Sequence, residues 1–265
     1  TSFSSGYCNT SGVTAMDYMF YSSTVGSSPI VDVSTLDTSS ALDMTSMFYG
    51  LSNVTTLDLS NFDTSNVTTM ANMLAHTDSL ASLDISSFDT SNVTTMQGMF
   101  THAHSLATLD LSHFNTAKVT SMSGMFSSAS LLSSLNLTGF NTSAVTTMAS
   151  MFEFAASLDT VDISAFDLPN LTSMSKMFAT MLSLEYVDMH GVNIPKVNNI
   201  GSLFANSAYL VAINAHTITA NYGGIILKSL MFTGVTAPVY CDAGDSQTFF
   251  DSVGAASTST AAWPY

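Results

Sequence analysis

The pairs Met47-Phe48, Met73-Leu74, Met99-Phe100, Met125-Phe126, Met151-Phe152, Met177-Phe178 and Leu203-Phe204 recur every 26 residues without an insertion. No other feature of the chain restricts its fold as strongly, because a fixed period of this length marks stacked repeats. A second marker keeps the same step: Val31-Asp32-Val33, Leu57-Asp58-Leu59, Leu83-Asp84-Ile85, Leu109-Asp110-Leu111, Leu135-Asn136-Leu137, Val161-Asp162-Ile163, Val187-Asp188-Met189 and Ile213-Asn214-Ala215. One unit of 26 residues cannot bury its own apolar face, so copies must cover one another. The register breaks before residue 30, where Met19-Phe20 precedes Met47-Phe48 by 28 residues, and again after about residue 216. The chain therefore divides into an N-terminal cap (1–29), a solenoid (30–215) and a degenerate repeat with a C-terminal cap (216–265), since a stack must hide its exposed ends.

Within one repeat, TLDLS alternates apolar and polar residues and reads as a short strand with Leu57 and Leu59 inward and Asp58 outward. FDTSN carries turn chemistry. TTMANML then places Met70, Met73 and Leu74 at i, i+3 and i+4, the spacing of one face of a short helix with Thr68 or Thr69 as N-cap. The expected fold class is α/β: a solenoid of about eight strand-turn-short-helix repeats with a parallel strand ladder along one side.

The pattern L-x-x-L-D-L-S-x-F-D-T-S-x-V-T-x-M-x-x-M-F, kept over residues 30 to 215, resembles the repeat of the BspA-like leucine-rich repeat surface proteins. The resemblance implies a secreted or cell-surface protein involved in adhesion or surface structure, with no shared catalytic residues. From residue 168 the pattern departs: Leu168-Pro169 and Ile194-Pro195 replace the Thr-Ser pair, which affects the turn shape of the last repeats.

Composition narrows the partners. Four Lys (Lys118, Lys176, Lys196, Lys228) and no Arg stand against 19 acidic residues, for a net charge of -15. Phosphate recognition needs cations that are missing here, which argues against nucleic acid and against an anionic membrane surface. No run approaches the roughly 20 apolar residues that span a bilayer. The opening TSFSSGYCNT has neither an initiator Met nor a charged region followed by an apolar one, as expected either of a mature chain whose secretion signal is gone or of a segment expressed on its own.

Each repeated polar or sulfur column has a chemical reading and a structural one. The M-x-x-M pairs Met16/Met19, Met44/Met47, Met70/Met73, Met96/Met99, Met122/Met125, Met148/Met151 and Met174/Met177 could offer thioethers to Cu(I), but they repeat together with Phe and Val and read as core filler. Asp32, Asp58, Asp84, Asp110, Asn136, Asp162, Asp188 and Asn214 form one outward column, and Asp37, Asp63, Asp89, Asn115, Asn141, Asp167 and Asn193 a second. At a strand spacing of about 4.8 Å neighbouring carboxylates repel by about 0.9 kcal/mol even in water, so a column must be wet, partly neutral or cation-bound. Calcium prefers oxygens that converge on a point rather than a line, and structural turn and ladder roles are expected. Thr68, Thr94, Thr120, Thr146 and Thr172 also align; helix capping is preferred to an ice-matching array. Seven N-glycosylation sequons occur at Asn9, Asn53, Asn66, Asn92, Asn136, Asn141 and Asn170, and their use depends on a eukaryotic secretory source.

Enzyme motifs are missing: no G-x-G-x-x-G, P-loop, H-E-x-x-H or G-x-S-x-G occurs, and the six His (His76, His102, His104, His113, His190, His216) do not fall in one repeat column. His102 and His104 form a lone pair in a loop and are not taken as a metal site. No cofactor is expected. Cys8 and Cys241 sit in opposite caps. Eight strands put them roughly 35 Å apart, against the ~7 Å between Cα atoms that a disulfide needs. They are therefore either separate thiols or partners in an inter-subunit bridge, Cys241 of one molecule to Cys8 of the next, which would build a head-to-tail filament. The reading is an extracellular, non-enzymatic structural or surface protein that can assemble with itself. The alternative is an adhesin-type module holding a glycan or a protein on the exposed strand face.

Overall fold

The computed structural model of the chain describes residues 3–4, 9–22, 30–220, 231–241, 247, 250–251, 255 and 257–259. Among the described residues twelve short strands run in chain order: β1 (Phe3–Ser4), β2 (Ile30–Asp32), β3 (Thr56–Leu57), β4 (Thr108–Leu109), β5 (Ser134–Leu135), β6 (Thr160–Asp162), β7 (Tyr186–Asp188), β8 (Asn193–Ile194), β9 (Ala212–Ala215), β10 (Thr219–Ala220), β11 (Pro238–Cys241) and β12 (Ser257–Ser259). All their pairings are parallel and in the register of the repeat, for example Val161↔Val187 and Val187↔Ile213. The strands thus form one side of a parallel β-solenoid of about eight coils.

The strand side is interrupted. β1-β2-β3 form one sheet, β4-β5 a second and β12-β11-β9-β7-β6 a third, while β10 and β8 pair separately. The turn side is continuous: single parallel bridges link Ala15, Asp43, Thr69, Thr95, Ser121, Thr147, Ser173 and Asn199 in unbroken succession. Met16 and Phe20 belong to the same core cluster as the coils that follow, and β11 and β12 continue the third sheet beyond β9.

The short helices expected at the M-x-x-M segments are not formed. Among the described residues, helical conformation is confined to 247 and 250–251. Consecutive tight turns stand in the helices' place, closed by bonds such as Met47 N–H to Met44 C=O (3.2 Å) and Tyr49 N–H to Ser46 C=O (3.1 Å). Where the remaining donors go explains the outcome. Met44, Ser46, Phe48 and Gly50 give their N–H groups to the carbonyls of Thr69, Ala71, Met73 and Ala75 in the next coil, at 2.8 to 3.1 Å. An α-helix would spend those donors on itself and would need about 10 Å of width, whereas the stacked Phe rings on this side lie 5.4 to 5.9 Å apart. The turns satisfy the backbone within the thickness of one coil, as buried segments must.

These turns require left-handed residues. Ser46, Asn72, Gly98, Gly124, Ser150, Lys176 and Ser202 all have φ between 53° and 62°, the sign demanded by the third residue of a type II turn. Gly98 has a second reason to be glycine, because a Cβ there would fall 2.1 Å from Asn72 Oδ1.

The core is a set of columns running the length of the stack. From Met44 to Met177 every member of the M-x-x-M pairs is at most 1% exposed. Phe100, Phe126, Phe152, Phe178, Phe204 and Phe232 stack with ring planes 3° to 9° apart. The sulfurs therefore fill space in an apolar interior, the adaptable packing for which Met is suited.

Candidate binding ridge

The repeated polar residues are occupied with their neighbours in the stack. Each outward Asp turns its Oδ1 onto the N–H two residues ahead: Asp32 to Ser34, Asp58 to Ser60 and Asp84 to Ser86, each at 3.0 Å, and Asp110 to Ser112 at 2.9 Å. The turn column does the same, with Asp63 accepting from Ser65 N–H at 3.0 Å and from its hydroxyl at 2.6 Å. These bonds to Ser hold the carboxyls of Asp37, Asp58, Asp84, Asp89 and Asp110 below the usual carboxylate range. For Asp58 the opposing repulsion from Asp84 and Asp32 is the smallest influence. Hydrogen bonding to the charged form therefore outweighs like-charge crowding.

Thr68, Thr94, Thr120, Thr146 and Thr172 cap no helix. Each hydroxyl donates to the carbonyl one coil earlier, as Thr94 does to Thr68 at 2.9 Å. A second Thr column is buried and bridges coils from inside: Thr90 Oγ1 accepts the N–H of Asn115 at 2.8 Å and donates to its carbonyl at 3.1 Å.

The seven sequons separate into two kinds. Asn66, Asn92 and Asn170 donate their amide nitrogens to Ser39, Ser65 and Ser143 carbonyls at 2.7 to 2.9 Å. The atom that would carry a glycan thus lies along the stack instead of pointing away from it. Asn9, Asn136 and Asn141 use their oxygens as turn acceptors, and Asn53 is exposed. Lys118 and Lys196 donate to the side-chain oxygens of Asn92 and Asn170, both at 2.7 Å. Cys241 is buried on β11 opposite Ala215; Cys8 lies outside the described residues.

What varies is a ridge between the turn side and the strand side. Residues 76–79 read His-Thr-Asp-Ser, 102–105 His-Ala-His-Ser, 128–131 Ser-Ala-Ser-Leu, 154–157 Phe-Ala-Ala-Ser and 180–183 Thr-Met-Leu-Ser. Their second residues Thr77, Ala103, Ala129, Ala155 and Met181 are at most 1% exposed and fasten the ridge to the core. Their first residues His76, His102, Ser128, Phe154 and Thr180 all have φ between 57° and 62°. The shared backbone turn leaves His76, His102 and Thr180 half-buried and Phe154 exposed, while Ser128 is buried.

Toward the N-terminus the ridge is aromatic and titratable. Tyr21 stacks on Tyr49 with centroids 4.7 Å apart, Tyr49 meets His76 at 4.9 Å, and His76 stacks on His102 at 4.3 Å. His102 Nδ1 lies 3.3 Å from His104 Nε2. Burial first, and then the neighbouring His76 and His104, lower the pKa of His102; Asp78 acts in the opposite direction. Toward the C-terminus the ridge is apolar, with Leu131, Phe154, Leu182 and Tyr209 between 47% and 67% exposed.

Asp78, His104 and Ser130 occupy one ridge column in successive coils. Their order resembles a hydrolytic relay, but Asp78 Oδ1 lies 3.8 Å from His104 Nε2, an ion-pair distance beyond hydrogen-bond range. A shallow cleft of about 330 Å³ opens on the turn side beside Asn72, Gly98, Thr101 and Ser127, and two more open on the strand side at breaks in the sheet. One of about 410 Å³ is lined by Val31, Leu57, Asp58, Ser82 and Asp84, and one of about 260 Å³ by Leu135, Asn136, Val161, Asp162 and Phe166. Among the described residues no three His, Cys, Asp or Glu side chains are already assembled around a metal position, and no helix is long and apolar enough to cross a membrane.

Fold and surface together define a parallel β-solenoid in which fixed columns carry a variable ridge. The chain belongs to the family described as "Mycoplasma protein of unknown function, DUF285", whose model matches residues 14–134 and 106–217. No curated protein matches the chain.

Proposed function

We propose that this protein is a non-catalytic surface solenoid of the BspA-like leucine-rich repeat type, extracellular, and serving as a structural or display element that assembles head to tail. One observation carries the reading: the repeated polar columns spend their hydrogen bonds on their own turns, as the Asp columns do, or on adjacent coils, as the Thr columns do, so the repeated part of the sequence is accounted for by building the stack. Head-to-tail assembly is favoured by the direction of the turn-side ladder. Each turn segment offers four N–H donors toward the next coil and only one or two toward the previous one, so a second molecule could continue the ladder only in the same orientation, a heterologous contact that does not close.

The second reading, an adhesin-type module holding a glycan or a protein, rests on the two strand-side clefts where the sheet is interrupted. Electron microscopy with sedimentation over rising concentration tests the first reading. Fibres or concentration-dependent oligomers are expected, and a monomer throughout would overturn the assembly. A glycan array, with Asp58→Lys as the control for cleft binding, tests the second.

A further inference from the structure

We propose that His102 and His104 form an open two-nitrogen site for a divalent transition-metal ion, with Asp78 accepting a hydrogen bond from a water on that ion. Two nitrogens bound to one ion at about 2.1 Å in tetrahedral geometry are separated by roughly 3.4 Å. His102 Nδ1 and His104 Nε2 are 3.3 Å apart, already at the spacing of two ligands on a common ion. As a hydrogen bond between imidazoles that distance is long.

The surroundings of His104 direct its lone pair. His104 Nδ1 lies 3.2 Å from Ser130 Oγ; donation of its N–H to that oxygen leaves the Nε2 lone pair directed at His102. A ligand imidazole fixed through its other nitrogen in this way is the usual outer arrangement of a metal-binding His. His102 is held by its backbone N–H to Ser127 carbonyl at 2.8 Å and by the stack on His76. Asp78 Oδ1 is shielded from solvent and has no hydrogen-bond partner, and it lies 3.8 Å from His104 Nε2. A metal-bound water would give this oxygen the donor it lacks and would keep a negative charge beside the cation. Both nitrogens come from neutral imidazoles, so protons compete with the metal, and His76, His104 and Asp78 are the titratable groups that face His102.

The test uses the whole chain titrated with zinc, nickel and copper salts at pH 7.5 and at pH 5. One equivalent is expected to bind at the higher pH, with copper tightest as ligand-field order dictates, and binding should weaken at least tenfold at the lower pH. His102→Ala and His104→Ala should each weaken zinc binding at least tenfold, Asp78→Asn by several-fold, and His76→Ala by little. Should a variant fail to fold, imidazole nitrogen spectra of the unmodified chain decide, because zinc should shift His102 and His104 and leave His113 and His190 unmoved. Absence of stoichiometric zinc binding, or binding that persists in both the His102 and His104 variants, would overturn the site.

Discussion

The fixed columns and the ridge are separated by only a few residues in every coil, yet they obey different rules. In the columns each side chain answers to the coil before and the coil after: Thr90 serves Asn115, Asn92 serves Ser65, and Phe126 lies between Phe100 and Phe152. A substitution there is felt by neighbouring coils. On the ridge, His, Ser, Phe and Thr follow one another in a single column with the same left-handed backbone, because the buried residue beside them does the fastening. The stack thus separates the residues that hold it together from those that are free to specialise.

That contrast can be broken from either side. Phe126→Ala should have the largest effect, about 3 to 5 kcal/mol by denaturant unfolding, because it empties a fully buried ring position. In a one-dimensional stack it should also weaken the coupling between the two halves, visible as a broadened transition. Thr90→Val keeps the shape but leaves the N–H and carbonyl of Asn115 without their buried partner, and should cost about 1 to 3 kcal/mol. Gly98→Ala should cost about 1 to 2 kcal/mol from its positive φ, since alanine pays for the left-handed region. Ridge changes such as Leu131→Ser or Leu182→Ser should stay within about 0.5 kcal/mol; a loss above 1 kcal/mol would make the ridge part of the scaffold.

Acid offers a different approach to the same contrast. The carboxyls of Asp37, Asp58, Asp84, Asp89 and Asp110 are more acidic in the fold than when unfolded. Their contribution is present above the unfolded value of about 3.9 and is lost as pH falls through the lower folded values. The melting temperature should therefore decline below about pH 4. Asp58→Asn should flatten that decline slightly and change neutral stability little, because Asn136, three coils on in the same column, already makes the same turn through its side-chain oxygen.

The period, the parallel stacking and the buried Met and Phe columns were legible in the sequence because spacing alone places them. The tight turns that stand where helices were expected were not, since apolar residues at i, i+3 and i+4 lie inward in two successive tight turns just as they do on a helix face. The discriminating signal was the column Asn72, Gly98, Gly124, in which residues tolerant of positive φ take the same place in successive coils. The ridge was overlooked for a related reason. Attention to what repeats passes over a column that holds Gly50, His76, His102, Ser128 and Phe154, and the closeness of Asp78 to His104 follows from a rung of 26 residues only once both are known to leave the core on the same side.

The unequal donation of N–H groups along the turn side has an electrical consequence. Four peptide dipoles per coil, at Met44, Ser46, Phe48 and Gly50 and their equivalents, point along the stack in one sense, against one or two at Leu42 and Asp43 in the other. Summed over the coils, the molecule acquires a lengthwise polarity, with its carbonyl-rich pole at the N-terminal end and its amide-rich pole at the C-terminal end, the reverse of an α-helix. An anion drifting past this strongly acidic protein would find its least hostile approach at the amide pole.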